Sequence, residues 1–173
     1  MVGLSGPPGF TRSLPPGWGV EGVVPGVQLV ATRSLLSAPA NEALVIGPAD
    51  AAEALELALR TEPGPFRPRT YELGTYLGIR HGGRLMALAG ERLHPTGWTE
   101  ISAVCTDPAY RCQGLAGRLV RAVADQIRDR GETPFLHTSA ANAPAIRLYE
   151  AMGFELRREV EFAALRLASA DER

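Results

Sequence analysis

The stretch from Ile101 to Ile127 constrains this chain most. Ile101-Ser102-Ala103-Val104-Cys105-Thr106 is an apolar run with strand character, and Asp107-Pro108 is a turn signal. Leu115, Leu119, Val123 and Ile127 then recur at the spacing of one helical face. Between the turn and this helix lies Arg111-Cys112-Gln113-Gly114-Leu115-Ala116-Gly117. A strand therefore runs through a turn and a glycine-bearing loop into a helix start. N–H groups of a first helical turn lack partners within the helix, and the helix dipole favours negative charge beside them. Gly114 removes the side chain that would keep a ligand off the backbone. Such a place suits a phosphate or pyrophosphate.

Two standard phosphate loops do not fit. The P-loop needs a lysine, and all 18 basic residues of this chain are arginine. The dinucleotide fingerprint needs Gly-x-Gly-x-x-Gly after the first strand of a βαβ unit, and Gly114 with Gly117 does not give that spacing. A dinucleotide-binding oxidoreductase is set aside on the same ground. The stretch instead resembles the pyrophosphate loop of the GNAT superfamily of N-acyltransferases, Gln/Arg-x-x-Gly-x-Gly/Ala, with Arg111, Gly114 and Ala116 in the defining places. Downstream, Asn142-Ala143-Pro144-Ala145-Ile146-Arg147-Leu148-Tyr149-Glu150-Ala151-Met152-Gly153-Phe154 resembles that superfamily's closing helix, Asn-x-x-Ala-x-x-Leu-Tyr-x-x-x-Gly-Phe. The resemblance covers roughly residues 50–167, and the glycine N-acyltransferase-like branch is the nearest in pattern.

Composition narrows the partners. A chain of 173 residues supports one domain with a core, and 45 % hydrophobic with 21 % charged residues is ordinary for a globular protein. A net charge of −1 offers no field for nucleic acid or an anionic membrane. Cys105 and Cys112 give neither a disulfide framework nor a metal-site spacing, so no metal is expected. No apolar run reaches the roughly 18 residues of a membrane helix, and Met1 to Thr11 lacks a signal-peptide layout. Cytoplasmic localisation is the resulting expectation.

In chain order, residues 1–26 are rich in Gly and Pro and read as an irregular arm, with one domain over 27–173. Val27 to Thr32 reads as a short strand, and Leu44 to Ile46 as a short extended piece. Asp50 is placed to cap a first helix with Glu53 completing a capping box, and Leu55, Ala58 and Leu59 form its stripe. Thr61 to Thr70 is a loop. Thr75 to Arg80 and Arg84 to Arg92 flank a Gly-Gly hairpin turn, and Pro95-Thr96-Gly97 turns into a third strand, Trp98 to Thr106. A helix from Gly114 to Arg130, stopped by Gly131, leads to a strand at Pro134 to Thr138, which makes a parallel crossover. Asn142 caps the last helix, Gly153 ends it, and Phe154 to Arg158 with Val160 to Leu167 supply one or two final strands. The fold class is α/β: a mixed, largely antiparallel sheet. The resemblance adds a splayed parallel strand pair with flanking helices.

The resemblance implies acyl-CoA-dependent N-acyl transfer, with acetyl-CoA as co-substrate, to a primary amine on a small molecule or amino acid. It implies that backbone groups of Arg111, Cys112, Gln113, Gly114, Leu115, Ala116 and Gly117 hold the pyrophosphate, with charge from Arg111 and from Arg118 or Arg121. It implies pairing of the pantetheine with the edge of Val104, Cys105 and Thr106, and contact with Asn142. Tyr149 stands at the family's acid position, and a phenol near pKa 10 is protonated at pH 7. The base stays open between Glu100, which period two places on the face of Ser102 and Val104, His137, and no dedicated base. His81 and His94 read as surface residues. Cys112 departs from the family pattern, where glycine is usual; a cysteine adopts positive φ only at a cost. Thr61 to Thr70 borders the acceptor pocket in look-alikes, and a homodimer through the last strands is compatible with them. The second functional reading is a CoA-binding module of the same fold without turnover.

Overall fold

The computed structural model describes residues 1–167; the expected domain end at Arg173 lies outside the described residues. Eight strands form one sheet in the order β1-β8-β2-β7-β6-β5-β4-β3. They are β1 (Val2–Gly6), β2 (Trp18–Ala31), β3 (Leu44–Val45), β4 (Tyr76–His81), β5 (Arg84–Glu91), β6 (Trp98–Thr106), β7 (Thr133–Ser139) and β8 (Phe154–Leu167). The helices are α1 (Ala51–Thr61), α2 (Leu115–Asp129) and α3 (Ala143–Met152). Among the described residues seven strand pairings run along the sheet, and only β6–β7 is parallel, as the strand–helix–strand order requires.

Alternation along the strands separates two layers. Leu77, Ile79, Met86, Ala87, Ile101 and Leu136 join Leu119, Val123 and Ile127 of α2 and Tyr149 and Met152 of α3 in one core. Tyr76, Leu85, Leu88 and Cys105 join Ala54, Leu57 and Ala58 of α1 in the other. So α1 covers one face and α2 with α3 the other. The stripe of α1 is Ala54, Leu57 and Ala58; Leu59 is exposed. In a helix rich in Leu and Ala several stripes are available, and the sheet beneath decides which is used. The capping box does not form either. Asp50 accepts from Gly47 N at 3.0 Å and from Arg80 at 2.7 Å, while Glu53 accepts from Leu85 N at 2.7 Å. Both carboxylates tie the helix to its neighbours instead of capping it.

The N-terminal segment is not an irregular arm. β1 pairs with β8 from Val2–Leu165 to Gly6–Glu161, and β2 pairs with β8 from Trp18–Leu167 to Ala31–Phe154. Glycine inside β2 has a packing cause. A Cβ on Gly26 would stand 2.2 Å from the Phe162 ring. The two expected C-terminal strands are one continuous strand, β8.

Candidate active site

The site forms where β6 and β7 part. Their parallel pairing runs from Trp98–Thr133 to Ile101–Leu136 and stops. β6 continues five residues to Thr106 and β7 three to Ser139, so a gap opens between them. The helices that follow these two strands, α2 and α3, begin at this end.

Two irregularities shape the edge of β6. On β5, Ala89 alone lies between Leu88 and Gly90, whereas their partners Cys105 and Ser102 are separated by Ala103 and Val104. This is a β-bulge, with Ala103 at φ 52°. It breaks period two. Ile101 and Val104 face α2, while Ala103 and Cys105 face α1. Glu100 therefore does not share a face with Val104, as simple alternation predicts. No signal marked the bulge, because alanine is not the residue expected at positive φ. Beyond the bulge, Thr106 Oγ1 is buried with no hydrogen-bond partner.

The loop after β6 turns twice through left-handed backbone, at Cys112 (φ 61°) and Gly114 (φ 75°). The cysteine is exposed and strained. Asp107 caps the short turn Pro108–Tyr110 through Ala109 N at 3.0 Å. α2 has no side-chain cap; its first internal bond is Arg118 N to Gly114 O, 3.0 Å. The N–H groups of Leu115, Ala116 and Gly117 precede that bond, and nothing lies within 4 Å of a Cβ built on Gly114. Arg111 turns back to the Thr106 carbonyl at 3.4 Å, and Arg118 pairs with Glu42 at 2.7 Å. The open amides, the bare Gly114 and the orphan Thr106 hydroxyl suit a long ligand with a diphosphate, so the residues present fit an acyl-CoA.

Asn142 does cap α3, its Oδ1 accepting from Ala145 N at 3.3 Å. Tyr149 sits on α3 with its ring 6.0 Å from Phe154. Burial pushes its phenol up to about 12, the nearby Cys105 adding to this. Burial likewise raises Cys105 to about 11.

Glu100 is buried on the α1 face and is not a solvated strand end. Arg92 binds it through Nε and Nη2, both at 2.8 Å, and His137 Nδ1 lies 2.7 Å from its Oε1. Burial alone would raise this carboxyl; the bonds from His137 and Arg92 outweigh it and hold it below the ordinary glutamate value. The fold thus brings Glu100 and His137 together and puts Tyr149 on the other face. His94 is exposed, as expected, with Nδ1 3.1 Å from Thr99 Oγ1 and Nε2 2.9 Å from the Leu73 carbonyl. His81 stacks near Tyr110. Among the described residues no group of His, Cys, Asp and Glu gathers that could hold a metal.

Comparison with known proteins agrees with this geometry. The family described as FR47-like protein matches residues 76–163, just over half of the chain. A protein of Novosphingobium aromaticivorans, described as an acetyltransferase of the GNAT family, superposes with a TM-score of 0.88 at 40 % identity. The match covers 97 % of this chain and 74 % of that one. The N-alpha-acetyltransferase RimI of Mycobacterium tuberculosis is 34 % identical over 58 % of this chain and 68 % of its own length. The mycothiol acetyltransferase of Thermomonospora curvata is 35 % identical over 47 % of this chain, a match spanning about a quarter of that protein, 27 %. The gap between β6 and β7, the uncapped helix beside it and these relatives lead to one assignment: the chain belongs to the FR47-like family and is an acyl-CoA-dependent N-acetyltransferase of the GNAT superfamily.

Proposed function

We propose that this protein transfers the acetyl group of acetyl-CoA to a primary amine of a small molecule or amino acid by direct attack, with Tyr149 as the general acid. The observation that carries the proposal is the uncapped N-terminus of α2 at the end of a strand whose neighbour has turned away. The amides of Leu115, Ala116 and Gly117 hold the pyrophosphate, and the free edge of Val104, Cys105 and Thr106 pairs with the pantetheine as an added strand. Acetyl-CoA supplies the activated acyl group. A backbone N–H near Val104, where the bulge redirects the chain, receives the oxyanion. The Tyr149 phenol, protonated at neutral pH, gives its proton to the departing thiolate. The printed names of the relatives, one an N-alpha-acetyltransferase, support an amine acceptor. Within the superfamily, the reading extends to the glycine N-acyltransferase-like branch as the nearest in sequence pattern over roughly residues 50–167.

The Tyr149→Phe variant tests the acid. Stabilisation by acetyl-CoA in a thermal shift is expected to persist, while thiol release falls by about 10²–10⁴-fold. Turnover equal to that of the unchanged protein would remove Tyr149 from this role.

A further inference from the structure

A chain of hydrogen bonds starts just past β5 and crosses four strands, β6, β7, β2 and β8, on the α1 face. Arg92, the residue after β5, grips Glu100 of β6, and Glu100 Oε1 meets His137 Nδ1 of β7 at 2.7 Å. His137 Nε2 meets Gln28 Nε2 of β2 at 3.0 Å. Gln28 Oε1 accepts from Arg157 Nη1 at 2.7 Å and Arg158 Nε at 3.2 Å, both of β8.

The two ends decide the sense of every bond between them. Guanidinium groups only donate. Arg157 and Arg158 therefore commit the Gln28 oxygen, and its NH₂ group turns to His137. An NH₂ group donates, so His137 Nε2 accepts. Glu100, ionised against Arg92, accepts only, so His137 Nδ1 carries the hydrogen. The imidazole is locked with its lone pair at Nε2. His137 also holds a particular place: it is the first residue of β7 beyond Leu136, the last partner of β6. Its side chain is 6 % exposed, and its Nε2 faces the Gln28 carboxamide.

We infer that His137 is the general base for the acceptor amine, that Glu100 is the residue that positions it, and that the Gln28 carboxamide nitrogen occupies the place the amine nitrogen takes. This rests on the acetyl-transfer reading above. An ammonium donor makes the stronger, charge-assisted bond to Nε2 and so displaces the neutral amide. His137 Nε2 then removes one proton from the ammonium. The nitrogen lone pair forms the C–N bond, the C–S bond breaks, and the thiolate takes the Tyr149 proton. The second proton of the new amide nitrogen restores the phenol, and the imidazolium returns its proton to solvent.

The test has two arms. Long-range ¹H–¹⁵N spectra of the labelled protein, with His137 assigned from the His137→Gln variant, are expected to show the Nδ1–H tautomer. Glu100→Gln is expected to mix the two tautomers. An Nε2–H tautomer in the unchanged protein overturns the inference. In the second arm, thiol release from acetyl-CoA is followed from pH 6 to 10 with L-alaninamide as the amine probe. His137→Gln is expected to lose about 10²–10⁴-fold in kcat/KM, with a rate that then tracks the free-base fraction of the amine. Acetyl-CoA still stabilises this variant. Stabilisation by acetyl-CoA with an unaltered pH profile in His137→Gln overturns the inference alone. Loss of stabilisation by acetyl-CoA in the unchanged protein overturns the acetyl-transfer reading and the inference with it.

Discussion

Cys112 holds a left-handed conformation, φ 61°, that glycine adopts freely and other residues adopt at a cost. For an L-residue that cost is about 1–2 kcal/mol. Replacing Cys112 by glycine removes it. Against this gain, glycine loses more chain entropy on folding, about 0.5–1 kcal/mol. The thiol is exposed, so little packing is lost. The net expectation for Cys112→Gly is a stabilisation of about 0.5–1 kcal/mol. For a domain of this length that is roughly 1–4 °C in Tm. The control is Cys112→Ala, which removes the thiol and keeps the strain, and which should melt with the unchanged protein. Scanning calorimetry in reducing buffer reads both. Should Cys112→Gly and Cys112→Ala shift together, the thiol and not the backbone governs this position. Should Cys112→Gly melt lower, the assigned strain is absent.

Gly153 ends α3 at φ 102°, and a Cβ there would meet Leu35 N at 2.5 Å and the Ser34 carbonyl carbon at 2.8 Å. Backbone strain and a clash against backbone add, so Gly153→Ala should lose about 2–5 kcal/mol by urea denaturation; a loss under 1 kcal/mol contradicts the contact. Glu100 gives a pH dependence. Its carboxyl is held below the free value of about 4.3. Its contribution to stability is therefore complete above that value and lost as the pH falls through the lower folded-state value. Glu100→Gln should cost about 2–4 kcal/mol at pH 7, because Arg92 is left without its countercharge while keeping some water contact. Urea midpoints at pH 7, 5 and 3 should converge between the two proteins as the pH drops; parallel curves would show that Glu100 is not ionised in the fold.

What was legible in the sequence was local. The strand, loop and helix from Ile101 to Ile127 carry their own periodicity and punctuation, and the Gly82-Gly83 turn and the Asn142 cap use rules that span four residues or fewer. The loop from Arg111 to Gly117 ahead of α2 and the place of Tyr149 on α3 came from short motifs with the same property. What was not legible depended on distant partners. Gly19, Gly22, Pro25 and Gly26 read as breakers, yet β2 holds them because β8 lies alongside and Phe162 covers Gly26. The α1 stripe was set by the sheet and not by the helix. The link from Arg92 through Glu100 and His137 to Gln28 joins residues up to 109 positions apart in a single step, beyond the reach of spacing. Cys112 is a third kind of case: the cost of a positive φ was legible, but not that the chain accepts it.

The connectivity of the sheet also has a consequence for how the chain is made. Among the described residues β1 and β2 pair only with β7 and β8, so Val27 waits for Glu159 and Val2 for Leu165. At synthesis rates of about 5–20 residues per second, an interval near 130 residues lasts roughly 7–26 s. During that time the first strands leave the ribosome with their hydrogen-bonding edges unmatched. β3 to β6 meanwhile pair each with its successor and can close over α1 as they emerge. Maturation therefore starts in the middle of the chain and finishes when β8 arrives, and a truncation of β8 leaves β1 without its partner and β2 paired with β7 alone.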